Sequence, residues 1–185
     1  MQYRFPYDFA GTITIPDRNL LGVFQAHPHS DRPEAEIIAA AVRHPIGAPR
    51  LAELVKPGER VLLLPDDVTR ATPAHRILPF ILAELAAAGV PDADIRVLMS
   101  LGTHRKMTPA ELTAKLGPEV MQRFLVENHH WEELDKMYRV GESASGAPIY
   151  ANRAAQWADH IIGIGAICPH AIAAWPPRSI TRGGC

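Results

Sequence analysis

Three short runs dominate what this chain can become: RVLLLP at 60–65, DIRVLMS at 94–100 and HIIGIGA at 160–166. Each is largely apolar on both alternating faces, and helical patterns separate them. A strand with no polar face to give to water belongs in a sheet covered on both sides, and covered sheets linked through helices are parallel. The expected fold is therefore α/β, a mainly parallel sheet with helices on both faces and right-handed crossovers, Rossmann-like in kind. GTITI at 11–15 and LLGVFQA at 20–26 predict a small antiparallel β addition near the N-terminus, at one edge of the sheet. The run 160–166, with no polar face to give to water, is expected to be a central strand.

The helices announce themselves by their ends. Residues 33–43 read as a helix with Asp31 as N-cap, and 48–55 as a shorter one. Residues 73–88 read as a helix with Thr72 as N-cap and Pro73 at its first position; Gly89 follows its end and Pro79 kinks or splits it. Thr108 and Glu111 form a capping box for a helix from Pro109 to about Leu116. Helices at 118–124 and 152–158 and a strand over FLVEN complete the pattern, with a turn-rich stretch around Gly141, Gly146 and Pro148.

With 185 residues, 47% hydrophobic, the chain suits one domain or one and a fraction. We expect an α/β domain over 1–174 and an irregular, aberrant tail over 175–185. A net charge of -1 calls for neither nucleic acid nor an anionic membrane surface. No apolar run approaches the ~18 residues of a membrane span. The N-terminus lacks a secretory signal, and two cysteines without a CxxC fit a reducing cytoplasm.

In open α/β sheets ligands bind beyond the carboxyl ends of the strands. The residues just past each strand are then the informative ones. The first strand leads into Asp66-Asp67-Val68-Thr69-Arg70, the second into Gly102-Thr103-His104-Arg105, the third into Cys168-Pro169-His170. Acids, arginines and two histidines thus arrive at one edge, and Asp67, Arg70, His104 and His170 are expected to line one cleft. His27 and His29 have the alternate spacing of a metal pair but no third ligand. His129 and His130 point opposite ways in an extended chain, so at most one faces a site. Gly163-Ile164-Gly165 lacks the third glycine of a dinucleotide fingerprint and reads as a close-packed strand end.

Together DDVTRATP, LGTHRKMTPAEL, Asn128-His129, Gly146-Ala147-Pro148 with Asn152, and HIIGIGAICPH resemble the N-terminal domain of the nickel-dependent lactate racemases, from about residue 57 to 173. The resemblance implies a nickel-pincer nucleotide as cofactor. It implies racemisation of a small 2-hydroxy acid substrate by transfer of the C2 hydrogen as hydride. His104 and His170 would be the two catalytic bases on opposite faces. Arg70 would hold the substrate carboxylate, with Asp67 orienting its neighbours, and Thr69 and Arg105 would lie at the cofactor. The family continues past Pro-His with a glycine-rich segment and a cofactor-anchoring lysine. Here Ala174, Pro177, Arg178 and Ile180 stand at those positions. The family's nickel histidine and C-terminal domain lie further on, so a truncated or frameshifted chain is expected, needing the missing domain or a partner that supplies it. Two other readings remain open: a degenerate, non-catalytic fragment that binds a small anion, and a generic nucleotide-binding α/β domain.

Overall fold

The computed structural model describes residues 1–4, 11–24 and 30–167. The chain divides into two compact units, residues 1–32 and residues 33 onward. In the first, β1 (Gln2–Arg4) pairs antiparallel with β2 (Thr12–Thr14), Tyr3 opposite Ile13. The N-terminal ammonium donates to the Ile15 carbonyl and to Asp17, both at 2.9 Å. The antiparallel addition is present, but as its own two-stranded sheet rather than as an edge of the main one. Residues 20–24 form no strand, and 25–29, with His27 and His29, lie outside the described residues.

The second unit opens with α1 (Glu34–Arg43) and α2 (Leu51–Leu54). Then come β3 (Val61–Pro65), α3 (Ala74–Ala87), β4 (Ile95–Met99), α4 (Pro109–Leu116), α5 (Pro118–Arg123) and β5 (Leu125–Asn128). A hairpin, β6 (Met137–Glu142) and β7 (Pro148–Asn152), leads through α6 (Ala154–Trp157) to β8 (His160–Ile164). Strands β5, β4, β3 and β8 lie side by side in that order, every pair parallel.

From β3 to β4 to β5 the chain steps one way across the sheet; from β5 to β8 it returns past both to the far side of β3. Right-handed crossovers then put α3, α4 and α5 on one face and the hairpin and α6 on the other. The register agrees. Val61, Leu63, Val97 and Met99 share the first face and are buried with Leu78 and Leu85 of α3 and Leu112 and Leu116 of α4. Leu62 and Arg96 share the second face, and the Arg96 guanidinium lies 4.0 Å from the centroid of the Trp157 ring on α6, a cation–π contact. Complete burial of each large aliphatic side chain contributes about 1.5–3 kcal/mol, so the first face carries most of the stability.

Several local expectations need correction. Strand β8 lies at an edge of the described sheet, and Gly163 within it is exposed. Its apolar sequence reflects pairing with β3 along its whole length rather than a neighbour on each side. Thr72 does not cap α3; Pro73 holds the cap position, and the Thr72 hydroxyl turns to Asp66 instead. The cap of α1 is Pro33, without a side-chain bond, rather than Asp31. Helix α3 runs unbroken through Pro79. Pro79 and His75, one turn earlier, are both exposed, so water can satisfy the carbonyl that Pro79 leaves without a partner. The stretch around Gly141 and Gly146 is a β-hairpin with a register shift between Arg139 and Gly141, not a series of loose turns.

The expected capping box is present. Thr108 Oγ1 accepts from the Glu111 amide at 3.3 Å, and the Glu111 carboxylate accepts from the Thr108 amide at 2.8 Å. Replacing Thr108 by alanine should lower unfolding free energy by ~1 kcal/mol, read by urea titration, because a capping hydroxyl satisfies an amide that the helix cannot. An unchanged midpoint would show that this cap contributes nothing.

Candidate active site at the carboxyl edge of the sheet

The reversal of strand order falls between β3 and β8, and open α/β sheets bind their ligands beyond the carboxyl ends at such a switch point. The loop after β3 is the most tightly bonded piece of that edge. Asp66 continues the sheet: its amide donates to the Ile164 carbonyl at 3.0 Å, and it bridges to Ser100 beyond β4. Asp67 follows with its side chain 5% exposed. Its Oδ1 accepts from the Thr69 amide at 2.9 Å and from the Thr69 hydroxyl at 2.5 Å. This is the local Asx geometry that an Asp-x-Thr sequence favours. The Arg70 amide donates to the Asp67 carbonyl, closing the turn.

The loop after β4 brings the second group. Gly102 adopts a φ of 56°, a left-handed conformation that glycine takes at little cost. The chain turns back there, and the His104 amide donates to the Leu101 carbonyl. The imidazole then meets Asp67: His104 Nδ1 lies 2.5 Å from Asp67 Oδ2. Burial pushes the Asp67 carboxyl up, but hydrogen bonds from the Thr69 hydroxyl, from His104 and from the Thr69 amide outweigh it and hold the group below its ordinary range. An ionised carboxylate can only accept, so Nδ1 carries the proton. In the neutral ring Nε2, on the far side, is left with a lone pair, and half of the side chain is open to solvent (49%). The arrangement is an oriented base.

The other expected site residues fall differently. Arg70 lines a cavity of about 530 Å³ together with Thr72, His75, Arg76, Glu111 and Lys115. Asp67 and His104 are not among its walls. Among the described residues the Arg70 guanidinium has no hydrogen-bond or ion-pair partner, which leaves its planar fork available to a carboxylate. The Thr69 hydroxyl is committed as a donor to Asp67, and Arg105 makes a two-pronged pair with Glu111 at 2.6 and 2.9 Å. His170 and Cys168 lie outside the described residues, as does the tail over 175–185. His129 comes directly after β5; its Nδ1 lies 3.3 Å from the Asn152 amide nitrogen, and burial first, then the neighbouring His130, lower its pKa. Asn128 brackets the loop before α4 by bonding both the amide and the carbonyl of Met107.

Sequence reasoning missed the support beneath the loop. Lys115, in the last turn of α4, is 8% exposed; its ammonium lies 2.8 Å from Asp66 Oδ1 and donates to the Arg70 carbonyl at 2.9 Å. The available signal was its spacing: three residues after Leu112 and next to Leu116, it shares their buried face.

The comparisons with known proteins agree with this architecture. Residues 8–177 match the lactate racemase N-terminal domain. This chain belongs to that family. It is 34% identical over 170 residues to a lactate racemase of Lactiplantibacillus plantarum, covering 89% of this chain and 40% of that protein. It is 28% identical over 159 residues to a lactate racemase of Thermoanaerobacterium thermosaccharolyticum, covering 84% and 37%. The chain thus spans about two fifths of the length of these racemases. A structure of the lactate racemase apoprotein from the latter organism superimposes with a TM-score of 0.68 at 27% identity, covering 82% of this chain and 35% of that one. A Thermotoga maritima protein shares the fold, with a TM-score of 0.55 at 22% identity.

The depressed Asp67 pKa sets a test of the dyad. A carboxyl whose folded pKa lies below its unfolded value, about 3.9, stabilises the fold above that value. The contribution fades as pH falls through the lower folded pKa. Stability of the native chain relative to Asp67→Asn should therefore be greatest and flat near neutrality, and should shrink below about pH 4. Denaturant titrations across pH 2–7 measure it. A difference that does not vary with pH would show that Asp67 is not ionised against His104.

Proposed function

We propose that this chain is the proton-handling half of a racemase or epimerase of small 2-hydroxy acids. The observation that carries the reading is the Asp67–His104 pair, oriented at the carboxyl edge of the sheet of a lactate racemase N-terminal domain. Inverting a 2-hydroxy acid requires the hydroxyl proton to leave and later return. His104 Nε2 is the group that takes it; Asp67 fixes the ring and offsets the charge that the imidazole gains. Arg70, without a protein partner, suits the substrate carboxylate. His170 is the corresponding base for the opposite face by resemblance alone. Thr69 buttresses Asp67 in this reading, and Arg105, paired with Glu111, is a cofactor contact by resemblance alone.

Racemisation also moves the C2 hydrogen, and the nickel-pincer nucleotide of the resemblance would supply that chemistry. Among the described residues no three His, Cys, Asp or Glu side chains converge to hold an ion by themselves, so the chain would take nickel only with the nucleotide that binds it. We assign the protein ligand to nickel, by resemblance, to a complementary C-terminal domain, and the site of action to the cytoplasm on the strength of two cysteines without a CxxC. No helix among the described residues is long and apolar enough to cross a membrane.

Chemical-shift titration of the isotopically labelled chain with L-lactate and D-lactate tests the reading. Both enantiomers should perturb residues 67–70 and 102–105 most. Arg70→Met should weaken binding ~10–100-fold, the worth of a charge-assisted paired hydrogen bond. Perturbations confined elsewhere, or equal binding by the variant, would remove Arg70 from the site. Elemental analysis after expression with cofactor-synthesis enzymes should find far less than one nickel per chain, because holding a metal needs several preorganised ligands. Near-stoichiometric nickel would overturn the assignment of the metal to a complementary part.

A further inference from the structure

We propose that Lys115 is a positioning residue: it clamps the loop after β3 so that Asp67 meets His104. The proposal rests on the reading of His104 as the base, but its geometry stands in the chain itself.

A lysine ammonium is seldom buried without partners, since desolvating it costs several kcal/mol. Lys115 is buried because it has two. One is the carboxylate of Asp66, where β3 ends; the other is the Arg70 carbonyl, four residues on. The two contacts pin both ends of the five-residue turn that contains Asp67 and Thr69. Asp66 is held from its other side too, its Oδ2 accepting from the Thr72 hydroxyl at 2.5 Å. The two consecutive acids thus face opposite duties. Asp66 turns inward to Lys115 and Thr72, whereas Asp67 turns to Thr69 and His104.

The other end of the clamp matters equally. Lys115 sits on α4, and α4 begins at Pro109, only five residues after His104. Its N-terminal end is fixed by the Thr108–Glu111 capping box, and Asn128 fixes Met107 just before it. One ammonium therefore ties the helix that follows the base-bearing loop to the turn that carries the base's carboxylate. The sheet joins the two strand ends at Asp66 and Ser100; beyond that point the dyad links the turn to the 101–108 loop, and Lys115 links it to α4. Without Lys115 the partly buried Asp66 carboxylate would lack its cation, and the turn would relax towards water.

The tautomer of His104 reads this coupling without substrate, metal or cofactor. Long-range nitrogen–proton correlation spectra distinguish Nδ1–H from Nε2–H imidazoles. The native chain should show the Nδ1–H form, and Asp67→Asn, as the reference for a lost dyad, a shift towards the Nε2–H form that an unrestrained ring prefers. Lys115→Met should shift the same way while retaining cooperative unfolding. If it does not fold, the double variant Asp66→Asn/Lys115→Met, which leaves no unpaired buried charge, is read in its place with the same expected result. A folded variant of either kind that keeps the native tautomer overturns the proposal. Failure of both to fold also overturns it, because Lys115 would then be support for the core and not a positioning residue. Failure of the chain to bind lactate would instead count against the proposed function, since no step of this experiment uses the acid.

Discussion

Strand β3 has a parallel partner on each side, and the two partners arrive by opposite routes. β4 comes next through α3 on one face; β8 comes last, after the chain has crossed back over the sheet. Parallel pairing forces each crossover to span the sheet, so every strand delivers its following loop to the same edge. The change of direction puts the switch point of the sheet at the end of β3. Its location comes from backbone connectivity, and Val61, Leu63 and their buried neighbours hold that connectivity in place.

At this edge the chain invests much polar bonding in a few residues. Two adjacent carboxylates are held in different ways, one by a buried ammonium and one by an imidazole. The division has a chemical consequence. A carboxylate neutralised by lysine is a structural tie, while one bonded to a half-exposed histidine shapes that histidine's reactivity by choosing which nitrogen keeps the proton. Aspartate alone would orient the ring imprecisely; held by the Thr69 amide and hydroxyl, it becomes a fixed acceptor.

Much of this was legible in the sequence. Apolar strands alternating with helices specified the parallel sheet, and Thr108-x-x-Glu111 specified the start of α4 within the residue. The segments after the strands singled out Asp67 and His104, and the structure brings these two side chains together at the carboxyl edge. What the sequence concealed were choices made by tertiary contact. Thr72 could cap α3 or serve Asp66, and local pattern cannot rank a helix cap against a bond to a carboxylate six residues back. The spacing of Lys115 from Leu112 puts it on the buried face of α4, but only the tertiary contact shows that Asp66 is its partner. HIIGIGA reads as central because burial by one strand and by two leaves the same apolar signature. The hairpin β6–β7 was hidden by glycines at 141 and 146, which mark turns as readily as bulges.

His104 and Arg70 are assigned to one site although Arg70 lines a cavity that His104 does not. Their joint use by one ligand is therefore the most exposed claim. A crystal structure of the chain with bound L-lactate addresses it directly. The carboxylate should lie on the Arg70 guanidinium and the hydroxyl within hydrogen-bond distance of His104 Nε2, with Asp67 still on Nδ1. Lactate held by Arg70 with its hydroxyl beyond the reach of His104, or bound away from both, would contradict that claim.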